Sequence, residues 1–351
     1  MKLWEKNIRR VVPYVPGEQP NNPNMVKLNT NENPYPPAPG VEKVLKGMDT
    51  KRLRLYPDPT IKLLVESLAQ FYHLGNDQVF VGVGSDDVLA MAFMTFYNSE
   101  KKILFPDVTY SFYPVWSKLF QIPYDTPALD KDFRIVKEDY YKDNGGVVIA
   151  NPNAPTSIYE DLSVIEDIIM NNPDVIVIID EAYIDFAGRS AVELISRYDN
   201  LLVVQTFSKS RSMAGMRIGY AMGQPQLIKA LNDVKYSFNS YTMNLTAIEC
   251  GVEAVKDTEY FKQGIQKIIA TREKSEEKLK ALGFSFLKSG TNFIFATHCK
   301  VPAKAIFEAL RSNNIYVRYF NLPRIDKYLR ITIGTEEEMN RLIKFLQTFL
   351  P

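Results

Sequence analysis

Between residues 79 and 206 the chain repeats one unit, in which a short apolar run is followed by a polar or glycine-bearing turn and then a helical stretch. The runs Val79 to Val83, Ile103 to Phe105, Val147 to Ala150, Val175 to Ile179 and Leu201 to Val204 lack polar alternation, so each reads as a strand buried on both faces. Such strands alternating with helices predict an α/β fold with a mostly parallel sheet flanked by helices. Open sheets of this type bind ligands beyond the carboxyl ends of their strands. The segments Gly82 to Asp86, Pro106 to Tyr110, Asn151 to Thr156, Asp180 to Tyr183 and Thr206 to Ser210 therefore converge on one edge.

The flanking sequence has a different texture. Residues 11 to 40 hold eight of the 21 prolines, which excludes regular helix or central strand. An extended arm over 1–40 is expected, packing on a smaller domain or a partner subunit, with Asn29 to Tyr35 lying across a site or a neighbour. Helices are expected at Val41 to Gly47 and at Ile61 to Phe71, the second with Leu63, Leu64, Leu68 and Phe71 near one face. Beyond Asn244 come charged helices at Thr246 to Val255 and Thr258 to Leu282. Strands at Phe293 to Ala296, Tyr316 to Arg318 and Leu329 to Ile333 then mix with helices at Ala303 to Ser312 and Glu336 to Phe349 without strict alternation. A large domain over 41–255 and a smaller α+β domain over 256–351 follow.

Charge and composition remove several classes of function. Lys and Arg number 42 against 41 Asp and Glu, so no global field favours nucleic acid or an anionic membrane. The longest apolar stretch, Val88 to Tyr97, is shorter than the roughly 20 residues a membrane span needs. Met1 to Arg10 lacks the apolar core of a secretory signal, and the two cysteines, Cys250 and Cys299, form no CxxC pair, so a cytoplasmic protein is expected. With His73 and His298 as the only histidines, a zinc site or a Ser-His-Asp triad has little to draw on, and no metal is expected.

The converging strand ends carry a specific chemistry. Lys209 offers an amine able to form a Schiff base with an aldehyde. Asp180 ends a buried strand, where a carboxylate needs a partner, and a protonated ring nitrogen would provide one. Tyr183 could hydrogen-bond a hydroxyl on that ring. The amides of Ser85 and Asp86 at a helix start, with Ser208 and Arg217, would hold a phosphate, provided that the charge of Asp86 points away. Each residue alone also fits a plain role, as a solvated lysine, a capping aspartate, a packed tyrosine or a surface arginine.

Together, Asn151-Pro152-Asn153-Ala154-Pro155-Thr156, Asp180-Glu181-Ala182-Tyr183, Ser208-Lys209 and Arg217 resemble the pyridoxal 5′-phosphate site of the fold type I aminotransferases. Leu28 to Pro34, Tyr56-Pro57-Asp58-Pro59 and Leu329 to Gly334 are similar to segments of the histidinol-phosphate aminotransferases in that family. The resemblance implies that Lys209 is the catalytic lysine, that Asp180 pairs the ring nitrogen and Tyr183 the ring hydroxyl, and that Tyr110 lies on the ring face. It places Ser85, Asp86, Thr206, Ser208 and Arg217 around the phosphate, with Tyr56 reaching it from the second subunit of a homodimer. It assigns Arg330 to the α-carboxylate of glutamate, and Arg318, Tyr14 and Asn33 to the substrate pocket. Two departures stand out: Ala154 occupies the usual asparagine position, leaving Asn153 as its substitute, and Ser157 replaces a glycine.

The activity so implied is transamination between L-histidinol phosphate and 2-oxoglutarate. Alternatives are an aromatic or broad-range aminotransferase and a lyase of the same fold acting on threonine phosphate. A cofactor-binding regulator would need a DNA-binding module, for which no basic recognition helix exists.

Overall fold

The structure, a computed structural model, describes residues 2–15 and 17–351; Met1 and Pro16, both within the expected arm, lie outside the described residues. In the arm lies β1 (Val26–Lys27), followed by α1 (Pro39–Gly47) and α2 (Lys62–Tyr72). Next come β2 (Val79–Gly82), α3 (Ser85–Phe96), β3 (Ile103–Leu104), α4 (Tyr113–Phe120) and β4 (Tyr124–Asp125). The run continues with β5 (Gly146–Ala150), α5 (Leu162–Met170), β6 (Val177–Asp180), β7 (Leu201–Thr206) and β8 (Gly219–Gly223). Helices α6 (Pro225–Phe238) and α7 (Leu245–Lys256) close this part.

These strands form one sheet in the order β2-β8-β7-β6-β5-β3-β4. Strands β3 to β7 pair in parallel, whereas β8 runs antiparallel to both β7 and β2. Both faces are covered, which explains the unbroken apolar runs. Val177, Ile179, Leu201 and Val203 pack with Leu64 and Leu68 of α2, Ile165 of α5 and Ala247 of α7. Ile178, Leu202 and Val204 point the other way, onto Val88 and Phe93 of α3, Trp116 of α4 and Leu231 of α6. At about 1.5–3 kcal/mol for each buried aliphatic side chain, both faces hold the sheet in register. Strand β8 is not legible in the sequence, because its run Gly-Tyr-Ala-Met-Gly is short and bounded by glycines that carry no strand signal. Leu63, expected near the buried face of α2, points to solvent.

Helix α8 (Thr258–Ala281) leads into β9 (Phe284–Phe286), β10 (Phe293–His298), α9 (Ala303–Ser312), β11 (Ile315–Tyr316), β12 (Arg318–Tyr319), β13 (Leu329–Thr332) and α10 (Glu336–Phe349). A second sheet, in the order β12-β13-β10-β9, is antiparallel throughout. The arm docks here. Its β1 pairs in parallel with β11, Val26 opposite Ile315, and Val26 and Leu28 join the core of Ile294, Ile331 and Leu342. Thr332 donates its amide to Leu28 O at 3.0 Å and accepts the amide of Asn31 on its hydroxyl at 3.0 Å, which carries residues 29–33 over the edge of the large sheet. Among the described residues no helix is long and apolar enough to cross a membrane.

Candidate active site

Strand register places the chemistry. Asp180 ends β6 opposite Ala150 of β5 and Val204 of β7, so its carboxylate emerges in the middle of the sheet edge. It is buried, its Oδ2 accepting the Tyr113 hydroxyl at 2.8 Å and its Oδ1 the Ala182 amide at 3.2 Å. Burial pushes its pKa up to about 6, with the two hydrogen bonds opposing, Asp86 adding to the rise and Lys209 resisting it. A carboxylate so placed favours a cation beside it.

Three residues beyond β7, Lys209 extends over the same cavity. Its Nζ is 3.5 Å from Thr30 O and 5.7 Å from the centre of the Tyr183 ring. The Asn33 side chain donates to the carbonyls of Lys209 and Ser210 at 3.1 and 3.2 Å, fixing the main chain that carries the amine. The Tyr183 hydroxyl accepts from Asn31 Nδ2 at 2.8 Å, and its ring meets Phe293 edge-on at 5.2 Å. The arm thus touches both the lysine and the tyrosine.

The opposite wall is the start of α3. First-turn amides of a helix have no partner within it and attract anions. Gly84 precedes this turn at φ +86°, and a Cβ there would lie 2.4 Å from Arg217 Nη2, so glycine is what admits the guanidinium. Gly219 lets β8 approach as closely, since its Cβ would lie 2.2 Å from the Ser85 nitrogen. Arg217 reaches Ser208 Oγ and Asp86 Oδ2, both at 3.5 Å. Asp86 departs from expectation: its carboxylate turns into the cavity, accepting the Tyr110 hydroxyl at 2.7 Å. Asp87, by contrast, folds back to accept the Val83 amide at 2.9 Å.

This cavity, about 750 Å³ including its open mouth, is lined by Ser85, Asp86, Tyr110, Asp180, Tyr183, Ser208, Lys209 and Arg217 among others. The donor set fits pyridoxal 5′-phosphate. The helix start, Ser208 and Arg217 suit its phosphate, with Arg217 and the Tyr110 hydroxyl offsetting the inward charge of Asp86, while the buried Asp180 suits a protonated ring nitrogen and the Lys209 amine suits its aldehyde.

A wider cavity of about 2150 Å³ adjoins, sharing Tyr110, Tyr183 and Lys209 and adding Tyr14, Arg318 and Arg330. The Arg330 Nη2 donates to Asn29 O at 2.9 Å, while its Nε is buried without a partner. Burial lowers the pKa of Arg330, and the charge of Arg318 lowers it further. Among the described residues neither guanidinium has a carboxylate partner, so the pair offers its charge to the cavity. Tyr14 stacks on Phe112 with ring centres 4.2 Å apart and forms part of the wall.

Three expected residues line neither cavity. The amide of Asn153 is committed to Val108 O at 2.8 Å and Thr156 Oγ1 at 2.9 Å, and its oxygen to the Thr109 hydroxyl at 2.7 Å, so it lines neither cavity. Thr206 is buried beneath Ser208, to which its hydroxyl donates at 3.0 Å. Asn33 holds the backbone of Lys209 and lines neither of the two cavities. Tyr56, expected to serve the site of a second subunit, lies outside both cavities of its own chain, 82 % exposed and packed on Tyr241 at 4.6 Å. Residues 29–35 are expected across a site, and the structure adds which contacts they make, Thr30 with Lys209 and Asn31 with Tyr183, together with the bond from Tyr113 to Asp180. The partners are not legible in the sequence, because Thr30 and Lys209 are 179 positions apart.

Comparison with known proteins agrees with this geometry. Residues 23–346 match the sequence profile described as Aminotransferase class I and II. The histidinol-phosphate aminotransferase of Lactococcus lactis subsp. cremoris is 50% identical over 347 residues, 99% of this chain and 98% of that protein. That of Acinetobacter baylyi is 50% identical over 353 residues, 100% of this chain and 98% of that protein. In fold, the chain is similar to the Sinorhizobium meliloti histidinol-phosphate aminotransferase solved in complex with pyridoxal-5′-phosphate, with a TM-score of 0.83, 22% identity, and 92% and 91% of the two chains covered. The chain belongs to the class I and II aminotransferase family.

Proposed function

We propose that the protein catalyses the transamination that links L-histidinol phosphate and 2-oxoglutarate with imidazole acetol phosphate and L-glutamate, the amino group passing from glutamate to imidazole acetol phosphate in histidine biosynthesis, with pyridoxal 5′-phosphate as cofactor. One observation carries the reading: an amine and a buried carboxylate share a cavity that opens directly onto two arginines without acidic partners. Half-identity to histidinol-phosphate aminotransferases over nearly the whole chain supports the choice of substrate.

When bound, the cofactor supplies an aldehyde that takes up the amino group and a ring that withdraws electrons from the carbon bearing it. Lys209 Nζ takes the proton from that carbon in the donor and returns one to the matching carbon of the acceptor. The Asn33 clamp on the lysine's main chain keeps the amine in reach, which supplies the proximity part of the rate. With the cofactor bound, Asp180 would hold a positive charge at its ring nitrogen, and Tyr183 would pair its ring hydroxyl. Arg330 forks onto the substrate carboxylate, and Arg318 with Tyr14 receives the distal phosphate. Tyr110 closes one side of the cavity and Arg217 would anchor the cofactor phosphate.

The working form in this reading is a cytoplasmic homodimer. The exposure of Tyr56, with Leu53, Leu55 and Phe238 also exposed, supports a face that a second copy covers. Incubating purified protein with L-histidinol phosphate and 2-oxoglutarate should yield L-glutamate, and Lys209→Ala should abolish turnover while still binding the cofactor without a covalent bond. Carbon dioxide release from threonine phosphate, or a higher kcat/KM for aromatic amino acids than for histidinol phosphate, would displace this reading.

A further inference from the structure

Tyr113 has a place in the fold that its neighbours do not share. It opens α4, is fully buried, and is boxed by the rings of Phe105 and Tyr110 at 5.7 Å, Phe93 at 6.1 Å and Trp116 at 6.3 Å. Within this apolar box its hydroxyl has one hydrogen-bond partner among the described residues, the Asp180 Oδ2 at 2.8 Å. Tyr113 lines neither cavity, so it touches no ligand and acts through the carboxylate alone. Burial holds the phenol far above its ordinary pKa, and it therefore stays a donor at every working pH.

We propose that Tyr113 is a positioning residue of the reaction: its hydroxyl fixes the Asp180 carboxylate and keeps the proton of the acid and ring pair on the ring nitrogen. The inference rests on the reading of Asp180 as the partner of that nitrogen. With the Ala182 amide on Oδ1 and the Tyr113 hydroxyl on Oδ2, the carboxylate plane is held from both ends and one lone pair of each oxygen is occupied. A carboxylate that accepts such bonds is a weaker base. Without the hydroxyl, the carboxylate keeps the Ala182 amide as its one remaining donor among the described residues, and the proton it would share with the ring nitrogen moves toward the acid. A neutral ring draws less charge from the substrate carbon, so the step at Lys209 slows.

The other charged or titratable groups facing Asp180 are Asp86 from α3, Lys209 beyond β7 and Tyr110 ahead of α4. Asp86 raises the proton affinity of Asp180 and Lys209 lowers it. All three persist when the Tyr113 hydroxyl is removed, so an isosteric change isolates that hydroxyl.

Cofactor-free wild type, Tyr113→Phe, Asp180→Asn and the double variant are titrated with pyridoxal 5′-phosphate from pH 5 to 9. Infrared spectroscopy follows the protonated carboxyl band of the cofactor-free proteins, assigned by its loss in Asp180→Asn. Tyr113→Phe should weaken cofactor binding about ten-fold or more and move both the acid limb of binding and the carboxyl titration up by about one pH unit or more. On the Asp180→Asn background the same change should have almost no further effect on affinity. An unmoved titration, or effects that simply add in the double variant, would show Tyr113 to be packing only. An Asp180→Asn protein that binds the cofactor as tightly as wild type overturns instead the underlying reading of Asp180.

Discussion

Replacing Gly84 with alanine tests the phosphate end of the site. The added Cβ would lie 2.4 Å from Arg217 Nη2 and 2.9 Å from its Cζ, closer than real carbon contacts allow. Gly84 also sits at φ +86° and ψ 162°, a region that essentially only glycine occupies, where a side chain costs about 1–3 kcal/mol. Arg217 must therefore swing out, or the turn must bend and tilt the first amides of α3. Losing one charge-assisted hydrogen bond to a phosphate costs about 1.5–3 kcal/mol, which is roughly ten- to 150-fold in affinity. Denaturant unfolding of the cofactor-free variant measures the backbone cost, and fluorescence titration with pyridoxal 5′-phosphate measures the affinity. Arg217→Met serves as the control, since it should lose comparable affinity without the backbone cost. Unchanged stability together with cofactor affinity within about three-fold of wild type would refute the argument that glycine is required here.

Arg318→Leu and Arg330→Lys should separate two kinds of arginine. Among the described residues the Arg318 side chain makes no hydrogen bond to the protein, so its loss should raise KM about ten-fold or more with little change in unfolding free energy. Arg330 also holds Asn29 O, so a lysine there should raise KM and loosen the arm together, read as faster proteolysis before Val26. Asp180→Asn should stabilise the cofactor-free protein. Its folded pKa of about 6 lies above the ordinary value of 3.8, so the folded state binds the extra proton and stability falls as pH rises between those values. The variant's advantage should be on the order of 2–3 kcal/mol at pH 8 and vanish near pH 4 in urea melts; a constant difference would contradict the assignment. Mixing Tyr56→Ala with Lys209→Ala subunits should restore activity, because one site of the hybrid would join an intact lysine to the partner's tyrosine. Failure to recover activity after confirmed subunit exchange would remove Tyr56 from the site.

Much of the architecture was legible in the chain because a strand buried on both faces must be apolar at every position. Val177 to Ile179 and Leu201 to Val204 announced both the sheet and the edge where Asp180 and Lys209 stand. The glycine-bounded β8 and the two-residue β4 escaped, since their pairing is set by neighbouring strands and not by their own residues. The same holds for the capture of Asn153 by the loop at 108–109, which depends on a fold contact between residues 44 or 45 positions apart.

Local pattern thus determined which residue types reach the sheet edge, since burial and turn geometry are properties of short segments. Only the tertiary structure decided how they are paired. The folding of the arm over Lys209 and Tyr183, the inward turn of Asp86, and the hydroxyl of Tyr113 beneath Asp180 are long-range contacts. Their partners are selected by the space and charge left when two sheets and an arm close on one another.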